Sequence, residues 1–183
     1  MPKKLNLDET QSNHSIIEER KLRSVESISE TKNEFIIKVW GQLSNAYFSK
    51  YQIQQLSDQA KTIASSEGKT SILIKSRKNL IEIFIFTPNQ PGLFFKTVQS
   101  FEHLSIETID SDIHTTDDGL YALNTFICRH KILGGNLIQR DIQNIQKKII
   151  AAIDSENPKS VTKAKPKTKK VFQYQTKVHI TDS

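Results

Sequence analysis

Apolar residues along this chain fall into two kinds of spacing, and each predicts a different kind of element. Ile36, Val39, Trp40, Leu43 and Tyr47 recur at steps of three and four, and Ile53, Leu56, Ala60 and Ile63 do so again after a break near residues 48–50. Both sets fall on one stripe of a helix, so a pair of short helices is expected over residues 34–65. Trp40 and the Tyr47-Phe48 pair are large rings with little else on those helices to bury. They are expected to pack against a neighbouring domain or against a sheet. Residues 66–79, with Gly68 and many polar positions, read as a connector.

Beyond that point the spacing changes. Residues 80–87 (LIEIFIFT) are β-branched or aromatic at most positions and apolar on both faces, which suits a strand in the middle of a sheet. Pro88 ends it, Pro91-Gly92 turns the chain, and Phe94, Val98 and Phe101 mark the apolar stripe of a following helix. Residues 106–116 alternate, with Ile109, Ser111 and Ile113 on a dry face and Asp110, Asp112 and His114 on a wet one. Asp117-Asp118-Gly119 makes a hairpin turn, and residues 120–129 return as the partner strand. After Gly134-Gly135, the isoleucines at 138, 142, 145, 149 and 153 line one face of a helix that closes at Asn157-Pro158. Residues 171–180 alternate again and read as a last strand. The predicted order is β-α-β-β-α-β, an α+β ferredoxin-like fold whose four-stranded antiparallel sheet carries two helices on one face.

Composition narrows the remainder. A hydrophobic share of 36% is low for a chain that packs throughout, so residues 1–33 are expected to be polar and partly disordered, and residues 154–170 to form a Lys-rich linker before the last strand. Lys159, Lys163, Lys165, Lys167, Lys169 and Lys170 by themselves match the net charge of +6. Without interleaved aromatic residues this run reads as a solvated tether, and nucleic-acid association through it stays as the alternative function. No run approaches the roughly 18 apolar residues of a membrane span, and no signal peptide is legible, so a cytoplasmic protein is expected. Cys128, the single cysteine, is expected to be a buried reduced thiol.

The turn at residues 87–94 (TPNQPGLF) is the most informative place for chemistry. It joins a central strand to a helix, leaves the amides of the first helical turn free, and puts at Gly92 a residue without a Cβ. A small anionic or zwitterionic group, such as an amino-acid carboxylate, suits that corner; a plain turn into a helix start is the equal alternative.

The stretch IFIFTPNQPGLF, then DSDIHTTDDGLYALNTF, together with Trp40 and Tyr47-Phe48 upstream, resembles the first of two ACT domains and its helical approach in the bifunctional PII uridylyltransferase/uridylyl-removing enzymes. The matching elements are Thr87-Pro88, Pro91-Gly92-Leu93-Phe94, Asp110, Thr115-Thr116, Asp118-Gly119 and Thr125-Phe126. The resemblance implies a helical connector over 34–79 and an ACT domain over 80–181. It implies an amino-acid effector, glutamine, with one wall of its site formed by Asn89, Gln90, Pro91, Gly92, Leu93 and Phe94. Ser105, Ile106 and Glu107 would face the same loop of a neighbouring ACT domain. Family members usually carry an acid at position 89, glycine at 105 and often asparagine at 107; the departures here imply crowding and like-charge repulsion at the pocket's edge.

Binding, not catalysis, is the expected activity, with no cofactor and no metal. The family's transferase needs a Gly-Ser pair ahead of an Asp-x-Asp, and its hydrolase needs His-Asp dipeptides. All five histidines are followed by other residues, and Asp110-Ser111-Asp112 with His114 reads as the wet side of a strand. Pairing with another ACT domain is expected, motivated by the two-faced apolar strand at 80–86.

Overall fold

In the computed structural model, residues 7–155 are described. Four helices come first: α1 (Leu7–Val25), α2 (Glu30–Gly41), α3 (Asn45–Lys50) and α4 (Ile53–Ser66). They are followed by β1 (Ser71–Arg77), β2 (Leu80–Pro88), α5 (Leu93–His103), β3 (Ile106–Thr115), β4 (Tyr121–His130) and α6 (Gln139–Ile153). The four strands form one open antiparallel sheet in the order β1-β2-β4-β3. This is an α+β arrangement compatible with a ferredoxin-like fold.

The order of elements corrects the sequence reading in one respect. Residues 71–77, expected within a connector, are β1, and the described residues therefore run β-β-α-β-β-α. A two-residue turn at Lys78-Asn79, with Lys78 left-handed at φ 52°, joins β1 to β2. Ile72 and Ile74 are buried while the residues beyond them are open. That is the profile of a half-covered edge strand, and its polar end (Lys75, Ser76, Arg77) hid it. The sequence also reads as a strand at 171–180. That proposed strand and the Lys-rich segment both lie outside the described residues. With β1 on one side and β4 on the other, β2 has no edge to offer a partner.

The sheet is covered on both faces, not on one. Ile81, Ile83 and Ile85 of β2 join Leu93, Phe101, Phe126, Ile145, Ile149 and Ile153 in a core under α5 and α6. Phe84, Phe86 and Leu123 point the other way, into a second core with Trp40, Tyr47, Phe48, Leu56 and Ile63. The strand at 80–87 is apolar on both faces because both are buried, and the large rings of α2 and α3 do pack on a sheet. Each fully buried Ile or Phe stabilises the fold by roughly 1.5–3 kcal/mol. α1, inside the stretch expected to be polar and partly disordered, adds Ile17 and Val25 to this core; Arg20 donates to the main-chain oxygens of Phe48 and Tyr51.

Two faces are turned relative to expectation. On α5 the buried positions are Leu93, Lys96, Thr97, Ser100 and Phe101, whereas Phe94 and Val98 face outward. Thr97 and Ser100 return their hydroxyl protons to the carbonyls of Leu93 and Thr97, so these small polar residues sit against the sheet fully bonded. On β3, a bulge between Thr108 and Asp110 interrupts the ladder, Ile109 and Ile113 are half exposed, and the nominally wet Asp112 and His114 turn toward α3. The hairpin at 117–119 forms as expected, with Gly119 left-handed and Asp118 accepting from the Leu120 amide.

Candidate functional site

The segment from β2 to α5 is held at three points. The Asn89 amide donates to the Leu120 carbonyl at 2.8 Å and its side-chain nitrogen to the Gly119 carbonyl at 3.0 Å, fastening the loop to the β3–β4 turn. Gln90 Nε2 donates to the Ile153 carbonyl at the end of α6. Thr87, fully buried, shares a hydrogen bond with Thr70, which donates to Asp154 Oδ1.

Gly92 is the N-cap of α5, with φ 72° and ψ 9°. Only a residue without a Cβ takes that left-handed conformation freely. A Cβ built there would meet no heavy atom within 4 Å, so the corner is open and the glycine answers a backbone demand, not a tight contact. α5 carries no acidic residue in its first turn and no side-chain cap, so the positive end of its dipole is not offset from within the helix.

Ser105, Ile106 and Glu107 lie at the other end of α5. The helix has eleven residues, so the two halves of the sequence-assigned site stand about 16 Å apart along its axis. Within one chain they do not meet. Ser105 is left-handed at φ 58°, a position glycine fills without strain; its carbonyl accepts from the Lys131 amide at 2.8 Å. Ile106 is buried and Glu107 is exposed. Phe94 and Phe95 in the first turn of α5, and Ile109 and Ile113 on β3, are each roughly half exposed. Among the described residues the outer edge of β3 has no partner strand.

On the opposite face a polar cleft of about 190 Å³ opens between β3 and the start of α4, lined by Lys50, Tyr51, Gln55, Glu82, Asp110 and Asp112. Its groups are bonded to one another. Asp112 accepts from Tyr51 Oη at 2.5 Å, Lys50 at 2.7 Å and His114 Nε2 at 2.9 Å. Glu82, nearly buried, is paired with Arg77 and Gln55. Burial pushes the Asp112 carboxyl up, but the hydrogen bonds from Lys50, Tyr51 and His114 together outweigh it and bring the pKa down to about 2. Burial, and then the bond to Asp112, hold the Tyr51 hydroxyl well above the ordinary phenol range. Among the described residues no three His, Cys, Asp or Glu side chains gather where they could hold a metal ion. The cleft is a tie between helices and sheet.

That tie has a pH signature. A folded-state pKa below the unfolded value means stability that is present above about pH 4 and is lost as pH falls toward 2. After allowance for solvent screening at this partly open site, Asp112→Asn is expected to cost about 1–2 kcal/mol at pH 7. The difference from the parent chain should vanish near pH 2. Urea unfolding at the two pH values checks it.

Lys96 was not legible as a site residue. It is 7% exposed, and its ammonium donates to Gln90 Oε1 at 3.0 Å and to the carbonyls of Ile153 at 3.1 Å and Ser155 at 2.7 Å. The only signal was a basic residue one turn into α5, four positions after Gly92. Cys128 is buried as expected, its thiol pushed up to about 12 by burial. Among the described residues no helix is long and apolar enough to cross a membrane.

The fold and the open corner thus define an α+β chain with an antiparallel sheet, helices on both faces and a glycine-turned strand-to-helix loop. The proteins it is similar to are bifunctional uridylyltransferase/uridylyl-removing enzymes. One from Vibrio campbellii is 24% identical over 146 residues, 76% of this chain and 16% of the relative. That of Acinetobacter baylyi is 24% identical over 119 residues, 61% of this chain and 13% of the relative. That of Thiobacillus denitrificans is 23% identical over 92 residues, 48% of this chain and 11% of the relative. These are distant homologues, and the chain spans only a small part of their length. No family model and no solved structure matches the chain.

Proposed function

We propose that this chain is a regulatory piece related to the uridylyltransferase/uridylyl-removing enzymes, with an ACT-type domain that senses a small amino acid, glutamine first, and no catalytic role of its own. The observation that carries the reading is the open, left-handed Gly92 corner at the start of α5, anchored by Asn89 and Gln90. Residues 89–94 supply one wall. Because 105–107 lie a helix length away, the opposite wall comes from a second ACT domain, set against the β3 edge that has no partner strand among the described residues and against the half-exposed Phe94, Phe95, Ile109 and Ile113. The homologous match to a small part of much larger enzymes supports a piece that regulates and does not react.

Calorimetric titration with glutamine tests it. Heat with the parent chain, and at least about tenfold weaker binding by Gly92→Val, is the expected result, since a β-branched side chain at φ 72° costs on the order of 1–3 kcal/mol and displaces the turn. Heat undiminished in the variant places the pocket elsewhere. Absence of heat with glutamine and every other amino acid ends the sensing reading.

A further inference from the structure

Lys96 is a buried ammonium whose described partners are all neutral: an amide oxygen and two main-chain carbonyls. None of the ion pairs among the described residues includes it. A buried cation whose described partners are all uncharged is costly to keep, and three neutral acceptors offset only part of that cost. Its place gives the charge a use. It sits one turn below Gly92, bonded to the side chain of Gln90 in the loop and to the last carbonyls of α6, where the chain leaves the described fold.

We propose that Lys96 is the carboxylate-recognising residue of the loop at 89–94, and that a bound carboxylate draws its ammonium away from the Ile153 and Ser155 carbonyls. The inference rests on the reading of that loop as an amino-acid site, and names both the group it selects for and the signal it sends. A carboxylate is a stronger partner for an ammonium than a carbonyl is, so the exchange is downhill when such a ligand arrives. The amides at the start of α5 take a share of the same charge. The α6 terminus then loses a cation from its negative end, and the Ile153 carbonyl keeps only the donor from Gln90. Occupancy of the loop thereby loosens the end of α6 at residues 153–155. The competing account is that Lys96 only caps α6, in which case no ligand's charge matters to it.

The full chain is titrated with glutamine and with glutamine amide, which lacks only the carboxylate charge. The expected result is at least about tenfold tighter binding of glutamine by the parent chain, the scale of one charge-assisted hydrogen bond. Lys96→Met should bind the two equally, and Lys96→Arg should keep part of the preference. Hydrogen exchange of the Ile153 and Asp154 amides should quicken when glutamine is added. Equal binding of glutamine and its amide by the parent chain overturns the proposal even if Lys96→Met fails to fold, and leaves amino-acid sensing standing. Binding that discriminates, with unchanged exchange at 153–154, overturns the release of α6. No binding of any amino acid removes this proposal and the sensing reading together.

Discussion

Replacing Phe126 by alanine is expected to lower the unfolding free energy by about 3–5 kcal/mol, among the largest losses of any single truncation in the sheet. Phe126 is fully buried on β4, the strand flanked by β2 and β3. Its ring meets Phe101 of α5 edge-on at 5.0 Å and lies nearly parallel to Phe94 at 6.2 Å. Truncation removes the transfer energy of the ring and leaves a hole between two rigid layers that cannot close over it. Chemical denaturation gives the number directly. A loss below about 1 kcal/mol would mean that α5 slides in to fill the space, and the helix would then not be fixed over the sheet as described. The result also bears on the loop, because Leu93 and Phe94 begin α5 immediately after Gly92.

How far the sequence alone reached can be seen element by element. β2, β4, α6 and the 117–119 hairpin were legible because local pattern and tertiary burial agree in them. β1 was not: in Ser71–Arg77 the two buried isoleucines are followed by lysine, serine and arginine, and an edge strand covered by α6 over half its length has no full alternation to show. The faces of α5 and β3 were misassigned for a related reason. Periodicity finds large apolar residues, whereas α5 seats Thr97 and Ser100 against the sheet, their hydroxyls satisfied by the helix's own carbonyls, and leaves Phe94 outside. On β3, Asp112 is drawn inward by partners 61 and 62 residues distant in sequence, Tyr51 and Lys50, which no local pattern reveals.

The loop divides in the same way. The turn at Pro91-Gly92 was readable from its residue types, and the structure adds that Gly92 is left-handed and leaves the corner open. What was not readable is the lacing of that corner to the end of α6 through Gln90, Lys96, Thr70 and Thr87, because it joins residues more than fifty positions apart. The ends of β2 and α6 and the start of α5 form one hydrogen-bonded unit. Under the proposed reading, a ligand at the Gly92 corner would act on the end of α6 through these specific bonds and not through general stiffening.

Phe48→Ala is expected to cost a similar 3–5 kcal/mol, and the informative part of the result is where the loss appears. Phe48 is fully buried against Trp40 at 5.1 Å and Tyr47 at 5.4 Å, with the Lys21 ammonium 4.9 Å from its ring centroid. The same cluster contains Phe84, Phe86 and Leu123 of the sheet, so the helices over residues 30–66 share a core with the strands. Two probes in this chain report the layers separately. Trp40, the only tryptophan, follows the helices; Cys128, the only cysteine, is buried on β4 with its thiol pushed up to about 12, and resists alkylation until the sheet opens. A shared core requires that in Phe48→Ala the loss of native Trp40 fluorescence and the exposure of Cys128 move to lower denaturant together, in one transition. Trp40 moving alone, with Cys128 still protected, would make the helices a separable layer, and the rings of α2 and α3 would then rest on the sheet without being needed by it.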